Sequence, residues 1–201
     1  MLKREQVWRH LADQTLAGTV GFHQQEIARD LAMSIGNVNL AIQPLRDTGA
    51  VEIVAKKVIV RDIRKLLTIW AARHNPEPVI AAFASAADTR GTMRLLPAGL
   101  ALTSFAGVLA AYPDRPDPAP APHVRAYIDP ADSITLAELR KRFTERPDGP
   151  TATVKIHAAD PVLAAKLPPI VSPAQMYVDL WHEGDFYAGD YLRALEAELR
   201  L

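Results

Sequence analysis

The sequence predicts an α+β fold in two parts, and three observations predict it. Residues 1 to 75 carry three stretches of apolar residues at helical spacing, followed by two β-branched runs. "PEP" at residues 76 to 78 then interrupts the pattern. Beyond residue 123, strand-like and helix-like stretches alternate, as in a mixed α/β part. The predicted units are residues 1–75 and 76–201. At 49% hydrophobic residues over 201, the chain can supply a core to each.

In "REQVWRHLADQTL", residues 4 to 16, Val7, Trp8, Leu11 and Leu16 share one helical face. In "QQEIARDLA" the apolar face is Ile27, Ala28 and Leu31, with Ala28 small enough for another helix to cross closely. "MSIGNVNLAIQPLRDTG" places Ser34 as a cap, sets Ile35, Val38, Ile42 and Leu45 on one stripe, and stops at Gly49. Pro44 lies off that stripe in the last turns, where it removes one backbone bond to Leu40 and leaves the first two turns intact. "AVEIVAKKVIVRD" then reads as a hairpin turning at "AKK". Helix, turn, helix and basic hairpin in that order is a winged helix-turn-helix, the predicted DNA-binding unit.

The third helix would then be the reading helix. Opposite its apolar stripe stand Gly36, Asn37, Asn39, Gln43 and Arg46. Asn and Gln amides form paired hydrogen bonds with adenine, Arg does so with guanine, and Gly36 leaves room for a phosphate at the helix N-terminus. Gln24 and Ser34, at the starts of the second and third helices, join the predicted contact set. Lys56 and Lys57 at the hairpin tip, with Arg61 nearby, suit the DNA backbone or minor groove. The plain alternative is a solvated polar helix face beside a solubilising turn.

In the second part, "VRDIRKLLTIWAARHN" predicts a connecting helix with Ile63, Leu66, Leu67 and Trp70 on one face. "VIAAFASAA" and "AGLALTSFAGVLAA" read as two helices separated by "TMRLL". Five prolines between 113 and 122 predict an extended surface loop. "VRAYID" and "TATVKIH" read as strands and "SITLAELRKRFTE" as a helix. Ser172 and Pro173 open a helix with Met176, Tyr177, Leu180 and Trp181 facing inward; Gly184 ends it, and "AGDYLRALEAELR" forms the last helix.

Charge separates the parts. Residues 1–75 hold 11 Lys+Arg against 7 Asp+Glu, a balance of +4, and residues 76–201 hold 12 against 16, or −4. A basic first part suits phosphate backbone, and an acidic remainder suits protein or small-molecule contacts. No cysteine is present, which excludes thiolate metal sites and disulfides and fits a reducing cytoplasm. No apolar run reaches the length of a membrane span, and no signal sequence is evident. The expected location is cytoplasmic, with no membrane partner.

"LLTIWAA" at 66 to 72 and "VSPAQMYVDL" at 171 to 180, following the winged-helix pattern, resemble the AbiEi-type antitoxins of type IV toxin-antitoxin systems. The resemblance spans most of the chain. It implies a DNA-binding N-terminal domain that represses its own operon, and a C-terminal domain that counters a nucleotidyltransferase-like toxin. A one-component regulator whose second part senses a small ligand is the alternative.

An enzyme is not expected. Asp179, His182, Glu183, Asp185 and Asp190 invite a metal site, but zincin spacing and a second ligand set are missing, so the cluster reads as a solvated acidic turn. There is no phosphate loop, no GxSxG elbow and no Gly-Ser loop with an Asp-x-Asp pair. His123 and His157 read as packing or surface residues, and no cofactor is expected.

Overall fold

The computed structural model describes residues 3–84, 88–145 and 153–201. Among them are ten helices and two sheets, an α+β arrangement. None of the helices is long and apolar enough to cross a membrane.

The chain begins with α1 (Lys3–Leu16), β1 (Phe22–His23), α2 (Gln24–Asp30) and α3 (Ile35–Asp47). Val7, Trp8 and Leu11 of α1 are fully buried, while Leu16 is only partly covered. Trp8 satisfies its indole by donating to the Ala41 carbonyl at 2.7 Å, which fixes α1 across α3. Ile27, Ala28 and Leu31 line the α2–α3 contact as their spacing predicts. Ser34 caps α3, accepting from the Asn37 N–H at 3.2 Å. The helix runs unbroken through Pro44. Gly49 takes a left-handed φ of 73°, and the chain turns into β2 (Val51–Val54) and β3 (Lys57–Val60). These pair antiparallel, and β1 pairs with β3, giving a three-stranded sheet in the order β1-β3-β2.

Ile35 departs from the expected buried stripe and is 43% exposed. It sits at the open first turn of α3, and the stripe below is completed by Ala41.

α4 (Ile63–Ala71), capped by Asp62 accepting from Lys65 N–H, leads into β4 (Pro78–Phe83). Then follow α5 (Thr89–Leu95), β5 (Leu100–Thr103), α6 (Ser104–Ala111), β6 (Val124–Ile128), α7 (Ser133–Arg142), β7 (Thr144–Glu145), β8 (Val154–Ala158), α8 (Pro161–Ala164), α9 (Pro173–Trp181) and α10 (Ala188–Leu199). The second sheet has the order β5-β6-β8-β4-β7, with β6 and β8 parallel and the other pairs antiparallel.

Residues 79 to 111 correct the helical reading. "VIAAF" is strand: Ile80, Ala82 and Ala84 are buried while Val79 and Phe83 are exposed, a period of two that alanine richness masks. Ser85–Ala87 lie outside the described residues. "TMRL", expected as a spacer, belongs to α5, capped by Asp88. "AGLALTSFAGVLAA" is β5 followed by α6. Left-handed Gly99 (φ 86°) and Ser104 (φ 54°) stand at the two ends of β5 and prevent one continuous helix. The predicted 133–145 helix ends at Arg142, so Thr144 and Glu145 pair with β4 instead. Part of the "TATVKIH" strand, Thr151 and Ala152, also lies outside the described residues.

Ala126 and Ile128 of β6, with Val154 and Ile156 of β8, face Leu139 and Phe143. The opposite face of β6 and β8 presents Arg125, Tyr127, Lys155 and His157, alternate positions by the strand period. That side is covered by α6 and α9. Gly107 allows α6 close to α9, since a Cβ there would fall 2.8 Å from Met176 Sδ. The same apolar cluster continues through α9 into Leu66, Leu67 and Trp70 of α4 and Val7, Trp8 and Leu11 of α1, crossing residue 75 without a break.

Candidate nucleic-acid interface

The buried arc of α3 is Val38, Ala41, Ile42 and Leu45. About 100° per residue then puts Gly36, Leu40, Gln43 and Asp47 on the outermost line, with Asn39 beside it. All of these are exposed. Asn37 is half-buried on one flank, its N–H held by Ser34, while Arg46 is exposed on the other. Gly36 meets no backbone constraint, and a Cβ there would find only Ser34 Oγ at 3.8 Å. Two side chains that the sequence reading left out share this face. Leu40 is 69% exposed between Asn39 and Gln43, and Asp47 adds a negative charge at the far end.

Gln24, His23 and Gln25 open α2 and line a cleft closed by Ile35, Ile53 and Lys56. The cleft joins the first turns of α2 and α3 to the hairpin. Ala55 and Lys56 form the hairpin tip with φ of 48° and 66°, both left-handed, the conformation of a two-residue type I′ connection. Lys56 and Lys57 are exposed there without an ion pair among the described residues. Arg61 sits at the opposite end of the hairpin, past Val60, which pairs with Val51. Its Nε donates to Glu52 Oε2 at 2.8 Å.

The acidic cluster near the C-terminus is a solvated turn only in part: Asp185 and Asp190 are partly exposed, while Asp179 and Glu183 are buried. Asp179 is completely buried and accepts from His74 Nε2 at 3.0 Å, Tyr127 Oη at 2.9 Å, Gln175 Nε2 at 3.1 Å and Thr103 Oγ1. His74 Nδ1 meets Glu5 Oε2 at 2.7 Å, so one imidazole bridges two carboxylates from α1 and α9. Burial alone would lower the pKa of His74, but hydrogen bonds and charge from Asp179 and Glu5 outweigh it and raise the value to about 9. Burial opposes ionisation of Asp179 in turn, and the hydrogen bond to His74 holds it below the usual carboxylate range.

A second buried group joins it. Glu183 accepts from Ser104 Oγ at 2.6 Å and Arg125 Nη2 at 3.1 Å, and lies 2.9 Å from His123 Nε2. His123, Glu183 and Asp185 bring ligand atoms within 4.8 Å of one another, and Arg125 already compensates Glu183 from the same side. His182 caps α9 and bonds the Ala71 carbonyl at 2.6 Å instead of sharing a face with Asp179. Arg9 clamps Asp160 through two hydrogen bonds of 2.7 and 3.0 Å. His123 and His157 are both buried.

The helix α9 carried a signal for this. With Met176 and Leu180 inward, Asp179 and Glu183 fall on the same arc, while Trp181 falls outside it and is 44% exposed, not buried as expected. The partners Glu5, His74 and Tyr127 gave no local signal, because they meet Asp179 only through the tertiary fold.

Compared with family models, curated proteins and solved structures, the chain matches none of them.

Proposed function

We propose that this chain is a sequence-specific DNA-binding transcriptional regulator. Residues 1–75 act as a winged helix-turn-helix, and the chain serves as an antitoxin-like autorepressor of a type IV toxin-antitoxin operon in the cytoplasm. The observation that carries the reading is the outer face of α3. Asn39 and Gln43 stand exposed on a helix whose opposite side is fully packed, and uncommitted Lys56 and Lys57 project at the hairpin tip. Amides able to discriminate bases lie beside cations suited to phosphates. Leu40 adds an apolar contact suited to a thymine methyl, a role the sequence reading missed. Arg61, paired with Glu52, adds little net charge.

The antitoxin role has one surface in its favour. Trp181 at the end of α9 and Phe186 within the α9–α10 connection, 44% and 89% exposed, offer aromatic surface to a nucleotidyltransferase-like partner. Affinity of the full chain for its own upstream DNA and for scrambled DNA, titrated against salt, tests the DNA reading. Preference for the upstream DNA with a negative salt slope is expected, and equal affinity for both removes the sequence-specific reading. A one-component regulator with a ligand-sensing second part is the second reading. An apolar cavity under the proline-rich loop before β6 favours it.

A further inference from the structure

Residues 112 to 123 connect α6 to β6, and five of them are prolines. The loop is tied down on both sides. Asp117 is held by Arg90 of α5, whose Nε donates at 3.3 Å, and Arg115 Nη2 lies 3.1 Å from Glu198 Oε1 of α10. Tyr191 Oη of α10 donates to the Ala119 carbonyl at 2.8 Å, and Thr89 Oγ1 of α5 donates to that of Ala121. Each proline fixes its own φ, so the segment between these ties resists collapse onto the helices. A cavity of about 330 Å³ remains between the loop, the end of α6 and α10, at the small end of ligand sites.

Its walls are apolar: Val108 and Leu109 of α6, Ala194 and Ala197 of α10, and Pro116 and Pro118 of the loop. The two alanines, three residues apart, share a face of α10, and a leucine at either would occupy space they leave open. The charged side chains of the lining are Arg115, Asp117 and Glu198. Each is already paired, so none of them calls for a charge on an occupant. One polar group is left. Tyr112, just past α6, lines the cavity, and its hydroxyl has no hydrogen-bond partner among the described residues. Burial, then the charge of Glu198, raises its pKa, so at neutral pH it is a phenol that can donate and accept. Water is held in such a space by two or more polar partners, and here it finds one uncommitted. An apolar molecule displaces loosely held water at a gain.

An uncharged, mainly apolar molecule with one hydrogen-bonding group matches every part of this lining. We propose that the cavity binds a molecule of that class, of the size of indole or benzyl alcohol, with its polar group on Tyr112 Oη. The apolar cluster that contains Val108 and Leu109 continues through α9 into α1 and α4, so occupancy bears on the elements that hold α3. The proposal deepens the ligand-sensing reading, on which its regulatory meaning rests, while the binding itself does not depend on DNA recognition.

The test uses the full chain free of DNA. Indole and benzyl alcohol are titrated to millimolar concentration by calorimetry, with the methyl groups of Val108 and Leu109 followed by NMR. At least one of the two is expected to bind saturably and shift those methyls. Its charged counterparts should bind at least about tenfold more weakly, because no unpaired charge awaits them: indole-3-acetate and tryptamine for indole, benzoate and benzylammonium for benzyl alcohol. Ala194→Leu, which fills the cavity, should weaken binding by a similar factor. Tyr112→Phe keeps the apolar wall and should weaken it about threefold to tenfold. Absence of saturable binding by both probes overturns the proposal. So does binding that leaves the methyls unmoved, that the charged counterparts match, or that survives both substitutions. If Ala194→Leu does not fold, Tyr112→Phe and the methyl shifts decide alone. A negative result here leaves the salt-dependent DNA measurement untouched, and a failure of DNA binding leaves this one untouched.

Discussion

At the scale of single residues, the bridge Glu5–His74–Asp179 sets how stability responds to mutation and pH. Asp179→Asn keeps the shape of the side chain but removes one charge from a buried set. Breaking such a pair costs about 3 to 5 kcal/mol, so urea denaturation should show a loss of that order. For His74 the folded-state pKa, about 9, is raised above the ordinary 6.5, so its contribution is fully present below 6.5 and is lost as pH rises through about 9. Unfolding free energy is therefore expected to fall between neutral pH and about 9 in the wild type, and less steeply in Asp179→Asn. An equal pH slope in both proteins would contradict the assignment. Asp179 was legible as inward-facing from its place beside Met176 and Leu180, but its acidity suggested solvent, because the cation that compensates it comes from residue 74.

At the scale of elements, helix periodicity was legible wherever an apolar stripe faced one core, as in α1, α3, α4 and α9. It misled at β4 and β5, where alanine's helical preference was overridden by pairing into the sheet, β4 burying one face and exposing Val79 and Phe83 on the other. Two elements carry measurable strain or loss. Pro44 inside α3 forgoes a backbone bond to Leu40, so Pro44→Ala should stabilise the protein by about 2 kcal/mol. That figure is about 3 kcal/mol of helix relief less up to about 1 from a freer unfolded chain. At the hairpin tip, Ala55 occupies a left-handed conformation at φ 48°. Ala55→Gly should raise the denaturation midpoint by about 1 kcal/mol equivalent while leaving DNA affinity unchanged, because the two lysines remain. A loss of stability in this variant would place the turn in another conformation.

At the scale of the whole molecule, the sequence changes pattern and charge at residue 75, but the core runs across that position, a continuity that was not legible. The core passes from α1 and α4 into α9, and buried ion pairs join Arg9 to Asp160 and Glu5, through His74, to Asp179. Contacts between residues more than 100 apart leave no periodic trace in sequence. The exposed face of α3 was legible because it is the complement of a stripe, which is why Asn39 and Gln43 were found and Leu40, apolar and outward, was missed. In the proposed function this face reads bases while the hairpin tip holds phosphates. The most direct test measures affinity against salt for the full chain, for Asn39→Ala with Gln43→Ala, and for Lys56→Ala with Lys57→Ala, each on the upstream DNA and on scrambled DNA. The helix variant is expected to lose about 1 to 3 kcal/mol per paired contact on the upstream DNA and little on scrambled DNA. The hairpin variant should weaken on both, with the salt slope reduced by about one unit per lost phosphate contact. Helix changes that weaken both DNAs equally, with hairpin changes that weaken only the upstream DNA, would contradict this division of labour.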